Sequence, residues 1–371
     1  MVQDKVTKLI SKAETLRANA QYDQSLKLYK NAFVLSKKSS YINGLIDSTL
    51  CIADIYRIKG DFKKAIEKYD EAIEMSDALG FETTVADAMV GRSLSLKAMG
   101  LWSEAFRNIK KPFAYYKKIK DKKGMGFSLW AQGAILRVKG DITGSIAKFN
   151  EAKICFSEIR FNSGIGYSLC GLGGSCRIAG MNEQSMEYYK QANKIFGALK
   201  DKFGRAYSYC GIGNAYRMIN DHDIAMDYFN KASQLYEEFG DIVSYSYTLW
   251  SMANVFKIKN DIGNTKIYLD KALKNFQKTK DMRGIAYCRL TQGELEWMGG
   301  NHAKAVKIFK SALQITDSYD FALERCHAKS LLNIAVQIKK HGALITKNPI
   351  SGCYKKIGVQ SYPDNIPCKM P

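Results

Sequence analysis

The feature that most constrains this sequence is a forty-residue period of turn-forming residues. Glycine or asparagine recurs at that interval without a slip, and Ala20 extends the same phase toward the N-terminus. The turn positions are Gly60, Gly100, Gly140, Gly180, Asn220, Asn260 and Gly300. Such a period is typical of a repeat array, in which each unit buries its apolar face against its neighbours. We therefore expect eight units within residues 1–345, with turns at 20, 60, 100, 140, 180, 220, 260 and 300.

Each unit has the pattern of two helices joined by a tight turn. Apolar residues recur at spacings of three and four before and after the turn, which is the helical period. In the sixth unit they are Tyr209, Ile212, Ala215, Tyr216, Ala225, Phe229, Ala232 and Tyr236. Glycine or asparagine ends the first helix in a left-handed conformation, and an aspartate follows at 61, 141, 221 and 261 to cap the second. The pattern predicts an all-α array of helical hairpins, closed by a further helix over about 321–340.

Residues at fixed distances from the turn resemble the tetratricopeptide repeat family in its form of about forty residues. The family's small residue of the first helix falls at Ala53, Ser93, Gly133, Gly173, Gly213, Ala253 and Gly293. Its second-helix signature appears as Ala65, Tyr69 and Ala72. The resemblance implies a right-handed superhelix (solenoid) whose first helices line a concave groove. Pro112 departs from the pattern, since a proline inside the second helix of the third unit should kink it.

Composition indicates the class of partner and the fate of the C-terminus. Lysine and arginine total 56 against 36 acidic residues, a net charge of +20, which favours an acidic partner. Four of the five prolines fall in the last 23 residues, so residues 346–371 are expected to form a poorly ordered tail.

The sequence offers no signal for catalysis, metal binding or a membrane span. Four dispersed histidines do not make a metal site, and no nucleophile, base and orienting group share a spacing, so we expect no enzyme activity and no cofactor. The longest uncharged runs are too short to cross a bilayer. Nine scattered cysteines without a C-x-x-C pair, and an N-terminus without an apolar leader, favour a reduced cytoplasmic protein.

A row of basic residues stands three positions before the turns. Its members are Arg17, Arg57, Lys97, Arg137, Arg177, Arg217 and Lys257, so five of the twelve arginines share one phase. The structural interpretation is that each base pairs with an aspartate four residues on, but only four of the seven have one. Like charges on neighbouring helices repel, and a bound anion or a partner's carboxylates would relieve that repulsion. We call these seven residues the basic row.

Aromatic and amide side chains occupy three further positions of the predicted inner face. Thirteen before the turn stand Phe127, Tyr167, Tyr207, Tyr247 and Tyr287; ten before it stand Trp130 and Trp250; six before it stand Asn214 and Asn254. Tyrosine, tryptophan and arginine are enriched at binding hot spots, whereas asparagine suits contact with a peptide backbone. The alternative is that the aromatic rings pack between adjacent helices.

The sequence thus predicts a non-enzymatic scaffold or adaptor whose groove binds an acidic or aromatic-containing protein segment. One alternative is single-stranded nucleic acid, such as RNA, with phosphates on the basic row and bases stacked on tyrosines. Another is a regulatory peptide sensor, because peptide-pheromone sensors of low-GC bacteria share this repeat length. The oligomeric state and the identity of the partner stay open.

Overall fold

A computed structural model describes residues 2–341, 351–360, 365–368 and 370 of the chain. The helices are α1 (Val2–Ala18), α2 (Tyr22–Lys38), α3 (Ile42–Ile58), α4 (Phe62–Asp77), α5 (Glu82–Ala98), α6 (Trp102–Asn108), α7 (Lys110–Lys118), α8 (Lys122–Lys139), α9 (Ile142–Glu158), α10 (Asn162–Ala179), α11 (Asn182–Ala198), α12 (Lys202–Met218), α13 (His222–Phe239), α14 (Ile242–Ile258), α15 (Ile262–Thr279), α16 (Met282–Met298), α17 (His302–Ser318), α18 (Ala322–His341) and α19 (Ser351–Lys356). Consecutive helices pack as antiparallel hairpins, which confirms the predicted solenoid of eight units, and α18 is the predicted capping helix.

The predicted turns adopt the backbone conformation that their residues favour. Every residue from Ala20 to Gly300 in the forty-residue phase has a positive φ, from 58° at Ala20 to 91° at Gly140. Glycine takes this conformation without a steric penalty, and asparagine takes it more readily than most residues. A second set of positive φ values lies midway between these turns, at residues that include Lys120, Lys200 and Lys280. Sequence reasoning missed that second set because lysine gives no turn signal.

Small residues in the first helices let the second helices approach closely. A methyl group added to Gly173 would lie 2.8 Å from the ring of Tyr189, and one added to Gly213 would lie 2.7 Å from Phe229. Both partners belong to the second helix of the same unit. The small residue of the repeat pattern is therefore a packing requirement of each hairpin.

Pro112 interrupts the second helix of the third unit, as its sequence position predicts. The helix divides at Ile109 into α6 and α7, three residues before the proline. Proline has no N–H to donate to the carbonyl four residues earlier, here that of Asn108, so the helical ladder loses a bond at this point. At the same residue, the side-chain amide of Asn108 donates to the carbonyl of Met89 on α5 at 2.9 Å, which ties the break to the first helix of the unit.

The superhelix winds so tightly that its coils touch after about five units. A methyl group added to Gly60 would lie 2.9 Å from Val243, and one added to Gly100 would lie 2.7 Å from the ring of Tyr319. The indole N–H of Trp102 donates to the carbonyl of Asp320 at 3.2 Å. The turns of the second and third units thus rest on residues next to the starts of first helices about five units later.

The C-terminal segment, which we define as the described residues between 351 and 370, continues this stacking in place of a further repeat. Helix α19 ends beside the turn of the fourth unit, where the amide of Ile142 donates to the carbonyl of Ile357 at 3.4 Å. The amide of Gln360 donates to the carbonyl of Ala179 in the fifth unit at 3.1 Å. The side chain of Tyr354 is fully buried. The expectation of a poorly ordered tail over residues 346–371 stays a prediction; residues 342–350, 361–364, 369 and 371 lie outside the described residues.

A disulfide joins the C-terminal segment to the capping helix. Cys326 on α18 and Cys353 on α19 are bonded, with their Cα atoms 5.9 Å apart. The expectation of reduced cysteines is therefore wrong for this pair, whose residues are 27 positions apart in sequence and meet only through the fold. The other seven cysteines are free thiols.

Candidate functional site

The first two members of the basic row are neutralised by acids of their own helices. Arg17 contacts the carboxylate of Glu14 at 2.6 Å, and Arg57 contacts that of Asp54 at 3.1 Å. The Nε of Arg57 also donates to the hydroxyl of Tyr69 at 3.1 Å. Both acids stand three residues before their base, one helical turn back. At this end of the row the charge is compensated without any partner.

The predicted pairing of the basic row with aspartates across the turn is wrong. Asp141, Asp221 and Asp261 instead accept backbone N–H groups at the starts of α9, α13 and α15, at 2.9, 3.3 and 3.0 Å. Asp61 forms an ion pair with Lys64 at 2.6 Å. These aspartates cap or support the second helix and do not pair with the bases four residues before them.

Lys97 and Arg137, the next members of the row, form no ion pair within the part of the chain that the structure describes. Desolvation, followed by the neighbouring charges of Arg137 and of Arg283 on α16, lowers the pKa of Lys97 to about 8. The guanidinium of Arg137 lies 5.6 Å from the centre of the Phe149 ring and donates to the carbonyl of Gly171 at 3.5 Å. Cations from three units thus converge at the place where coils of the superhelix meet.

Arg177 is the member of the row with the least satisfied side chain. Its Nε and Nη1 atoms are buried, and neither has a hydrogen-bond partner among the residues that the structure describes. A buried N–H without an acceptor costs about 1–3 kcal/mol, and more when the group is charged. The same charge helps to lower the pKa of Arg217 in the next unit. Arg177 therefore presents donors for which the described part of the chain provides no acceptor.

Arg217 is buried and holds the C-terminal segment. Its Nε and Nη2 donate to the amide oxygen of Asn214 at 3.2 and 3.1 Å, and Nη2 also donates to the carbonyl of Met370 at 2.8 Å. Desolvation, followed by the charge of Arg177, lowers the pKa of Arg217 to about 9. The guanidinium is thus compensated by neutral carbonyl groups.

Lys257 forms a fully buried ion pair with Glu294 of the next unit, at 2.6 Å. Both groups also bind the main chain of Cys368. Lys257 donates to its carbonyl at 2.9 Å, and its amide donates to Glu294 at 2.6 Å. We call Arg217, Lys257 and Glu294 the main-chain clamp, because all three bind backbone atoms of the C-terminal segment.

The two asparagines predicted to contact a partner are occupied by their own helices. Asn214 donates to the carbonyl of Cys210 at 3.1 Å, and Asn254 donates to that of Trp250 at 2.8 Å. The amide oxygen of Asn254 is buried and has no hydrogen-bond partner within the described residues. Asn214 therefore acts through Arg217, whereas Asn254 keeps one free acceptor.

Most of the predicted aromatic positions pack between helices. Ring centres lie 5.2 Å apart for Phe127 and Phe156, 4.8 Å for Tyr167 and Phe196, 4.8 Å for Tyr247 and Phe276, and 4.6 Å for Tyr287 and Trp250. The hydroxyls of Tyr167 and Tyr247 donate to Asp201 and Asp281 at 3.1 and 2.9 Å. These contacts favour the structural interpretation of the aromatic row.

The two tryptophans and Tyr207 complete the predicted set. The indole N–H of Trp130 donates to the carbonyl of Tyr167 at 3.1 Å, and that of Trp250 donates to the hydroxyl of Thr291 at 3.1 Å. Trp250 is buried, and Tyr207 is half-buried. Neither indole N–H is therefore available to a partner.

Two segments of the chain match family models described as tetratricopeptide repeat, residues 52–78 and residues 166–238. These segments belong to the same forty-residue period as the rest of the array. The chain therefore contains tetratricopeptide repeats in these two segments. No curated protein matches its sequence significantly.

Solved structures share the fold of this chain. The Rap conjugation gene regulator of the plasmid pLS20 in complex with the Phr* peptide aligns with a TM-score of 0.65 at 13% identity, over 85% of this chain and 96% of that one. NprR in complex with its cognate peptide NprX aligns at 0.58 and 16% identity, over 96% and 98%. A Rap protein complexed with competence and sporulation factor aligns at 0.57 and 13% identity, over 91% and 98%.

Sequence reasoning missed the acids and the tail that complete this site. Glu294 stands six before its turn, the phase of Asn214 and Asn254, so the repeat frame contained a signal for it. Arg283 forms an ion pair with the buried Glu324 of α18 at 2.7 Å, outside the phase of the basic row. Contacts of the C-terminal segment with Arg217 and Lys257 span 153 and 111 residues of sequence, which no period reveals.

Two features absent from the described residues bear on other classes of function. Those residues contain no cluster of three or more histidine, cysteine, aspartate or glutamate residues that could hold a metal ion. None of the helices within them combines the length and the apolar character that a membrane crossing needs.

Proposed function

We propose that this tetratricopeptide repeat protein is a non-enzymatic binding protein whose inner face takes up an extended, acidic segment of another polypeptide. The observation that carries the proposal is the unpaired guanidinium of Arg177, whose Nε and Nη1 are buried without an acceptor among the described residues. Lys97 and Arg137 precede it in the row and have no acidic partner among those residues either. A carboxylate from outside would supply an acceptor and a counter-charge for this guanidinium.

The chemistry of recognition follows from the guanidinium. A carboxylate can accept two parallel hydrogen bonds from the fork of an arginine, and such charge-assisted bonds are about twice as strong as neutral ones. Neutralisation of Arg177 would also relieve its repulsion of Arg217, which adds to desolvation in lowering the pKa of Arg217. Binding energy therefore comes from interactions that the unbound protein lacks.

Structural relatives support a polypeptide as the partner class. Each of the three similar structures described above was solved with a peptide or with competence and sporulation factor. They share only the fold with this chain, so they support the class of ligand and not its sequence. A regulatory role triggered by a peptide is consistent with the same comparison.

Nucleic acid is a weaker candidate than a polypeptide. Bases stack on free aromatic faces, but Tyr167, Tyr247 and Tyr287 have ring contacts at 4.6–4.8 Å with neighbouring side chains. Phosphates on the basic row would then bind without stacking support. Cytoplasmic location, expected from the sequence, stays a proposal, and the disulfide of Cys326 and Cys353 bears on it because such bonds are rare in the cytosol.

Selection of a random dodecapeptide phage library on the immobilised full chain tests the proposal. The Arg177→Met variant and an Arg107→Met control, altered at an exposed arginine of α6, are screened in parallel. We expect acidic sequences to be enriched on wild type and control, and their affinity to fall at least tenfold on Arg177→Met, in line with the loss of a charge-assisted hydrogen bond. Failure to enrich any sequence, or equal affinity for all three proteins, would refute it.

A second arm separates the two partner classes. A fluorescent single-stranded dT20 oligonucleotide is titrated against the same three proteins at several salt concentrations. Phosphate contacts would give a slope of about −0.7 per contact in log K against log salt. Tight, salt-dependent binding of dT20 together with no peptide enrichment would replace the polypeptide by nucleic acid.

A further inference from the structure

The main-chain clamp binds the C-terminal segment as a protein binds an extended peptide. At Cys368 the amide donates to Glu294 at 2.6 Å, and the carbonyl accepts from Lys257 at 2.9 Å. Two residues further on, the carbonyl of Met370 accepts from Arg217 at 2.8 Å. Donors and acceptors of the clamp therefore alternate along the chain, as they do for a peptide held by its backbone.

The clamp groups need such a ligand because they are buried. Lys257 and Glu294 are fully buried, and Arg217 is 2% exposed. The ion pair satisfies one bond of each of its two groups, and the backbone of Cys368 satisfies another. Without that backbone, charged atoms inside the protein would lose hydrogen bonds, which is costly in a medium of low dielectric constant. The arrangement is a built site for a polypeptide backbone.

The occupant is held by contacts that can be released without unwinding a repeat. Residues 365–368 and 370 lie outside the helices, beyond α19. The described anchors that precede them are the disulfide at Cys353, 15 residues before Cys368, and the hydrogen bond from Gln360 to Ala179. Beyond these anchors, Cys368 and Met370 are held by the clamp and by burial in the apolar core. Fifteen residues of chain can span about 50 Å. The end of the segment can therefore leave the clamp while α19 stays in place.

The clamp also overlaps the site of the proposed function. Arg217 and Lys257 belong to the basic row, and Arg217 lies one unit from the unpaired Arg177. A polypeptide that binds Arg177 and continues along the row toward the C-terminal units would meet the main chain of Met370. Both cannot occupy the clamp at once.

We infer that the C-terminal segment is an intramolecular ligand of the main-chain clamp and that a partner polypeptide binds by displacing it. The inference rests on the proposed function, since it names how access to that site is regulated. A tethered segment acts at an effective concentration of about 1 mM, so it suppresses weak binders and admits those that outcompete it. The opposing description is that the segment is a permanent end piece that completes the array.

The thiol of Cys368 reports on the state of the clamp. Cys368 is 2% exposed when the segment is bound, and Cys288 on α16 is fully buried and serves as an internal control for unfolding. N-ethylmaleimide is added to the full chain without reductant, so that the disulfide stays intact. The rate of modification is then measured at each cysteine by mass spectrometry of proteolytic fragments.

The first comparison removes the clamp. Lys257→Met with Glu294→Leu replaces the buried pair by apolar side chains of similar size, a change that proteins often tolerate. The matched control is Lys259→Met with Asp223→Leu, which removes an ion pair whose aspartate is 91% exposed. We expect modification of Cys368 to accelerate about tenfold in the clamp variant only, with Cys288 unchanged. Equal protection of Cys368 in both variants would overturn the inference.

The second comparison uses the wild-type chain, so it does not depend on how the variant folds. An acetylated peptide with the sequence of residues 365–371, carrying serine at position 368, is added at about 1 mM, with a scrambled peptide as its control. Competition should raise the rate at Cys368 about fivefold, whereas the scrambled peptide should leave it unchanged. No response to the native sequence means a permanent end piece and overturns the inference.

A third arm distinguishes this inference from the proposed function. A phage-selected peptide, or one acidic dodecapeptide if none is selected, replaces the tail peptide in the same experiment. Binding without faster modification of Cys368 leaves partner binding intact and refutes displacement. Modification that responds to the tail peptide alone supports the clamp as a site for the chain's own segment and counts against an acidic partner.

Discussion

The second and the seventh repeats place a base at the same position and neutralise it in different ways. Arg57 pairs with Asp54 of its own helix, and both side chains are about one-third exposed. Lys257 pairs with Glu294 of the next repeat, both are fully buried, and the C-terminal segment covers them. The repeat frame thus determines where a base stands, but its partner depends on what covers that part of the coil.

The two ends of the basic row differ because different parts of the chain pack against the early and the late units. The turns of the second and third units rest on helical units five repeats later, whereas Arg217 and Lys257 meet the C-terminal segment. Between these regions lie Lys97, Arg137 and Arg177, for which the described residues provide no acid. The predictions below test this contrast.

Removal of one base should have the largest effect in the covered region. Lys257→Met leaves Glu294 buried without its counter-ion and should lower the free energy of unfolding by about 3–5 kcal/mol. Arg57→Met breaks a partly exposed pair and should cost about 1 kcal/mol or less. Urea unfolding followed by circular dichroism measures both, and similar losses would contradict the contrast.

Contact between coils should be measurable at the turns. Gly100 and Gly300 have φ values of 82° and 80°, but an added methyl group meets Tyr319 only at Gly100. Both Gly→Ala variants should lose about 1–2 kcal/mol from the left-handed backbone, and Gly100→Ala should lose a further 1–3 kcal/mol from overpacking. Equal unfolding midpoints and slopes for the two variants would show that the coils do not press together there.

The unpaired centre of the row should respond in the opposite direction. Arg177→Met removes two buried N–H groups that lack acceptors and should raise the free energy of unfolding by about 1 kcal/mol. The exposed Arg107→Met control should stay within about 0.5 kcal/mol of wild type. A loss of stability in Arg177→Met would indicate that the side chain stabilises the unbound array.

Lys97 gives the smallest expected effect, and pH reveals it. Its pKa falls from 10.5 to about 8 through desolvation and through Arg137 and Arg283, with Asp281 opposing. Between pH 8 and pH 10.5 the unfolded chain binds more protons than the folded one, so the free energy of unfolding rises with pH. Below pH 8 the folded protein carries the full cost of the charged, desolvated Lys97. Between pH 7.5 and 9.5, the free energy of unfolding of wild type should therefore rise relative to that of Lys97→Met. After solvent screening the rise should be less than about 1 kcal/mol. A constant difference between the two would contradict the shift.

The repeat architecture could be predicted from local residues alone. Turn glycines and asparagines, helical spacing and Pro112 each act within a few residues, so the sequence shows them directly. The left-handed lysines at 120, 200 and 280 could not be predicted, because packing of the hairpins imposes a conformation that lysine does not favour.

The candidate site could be predicted only in part. The basic row was visible as a phase, but its division into paired and unpaired members depends on Glu14 and Asp54, three residues back, and on the covering chain. The aromatic row has the spacing of a binding face, yet Phe156, Phe196 and Phe276 take up its rings. Tertiary packing decides whether such a side chain is free to bind a partner or is packed against another part of the chain.

Contact between successive coils has a consequence for how this protein can vary. In most solenoids each module touches only its immediate neighbours, so modules can be gained or lost and the molecule can fray from its ends. Here Gly60 and Gly100 each contact residues five modules further along the chain. Deletion of one intervening module would move both glycines away from their present contacts. The contacts between coils therefore constrain the number of modules. Because they couple distant modules, the array should unfold in a single cooperative transition.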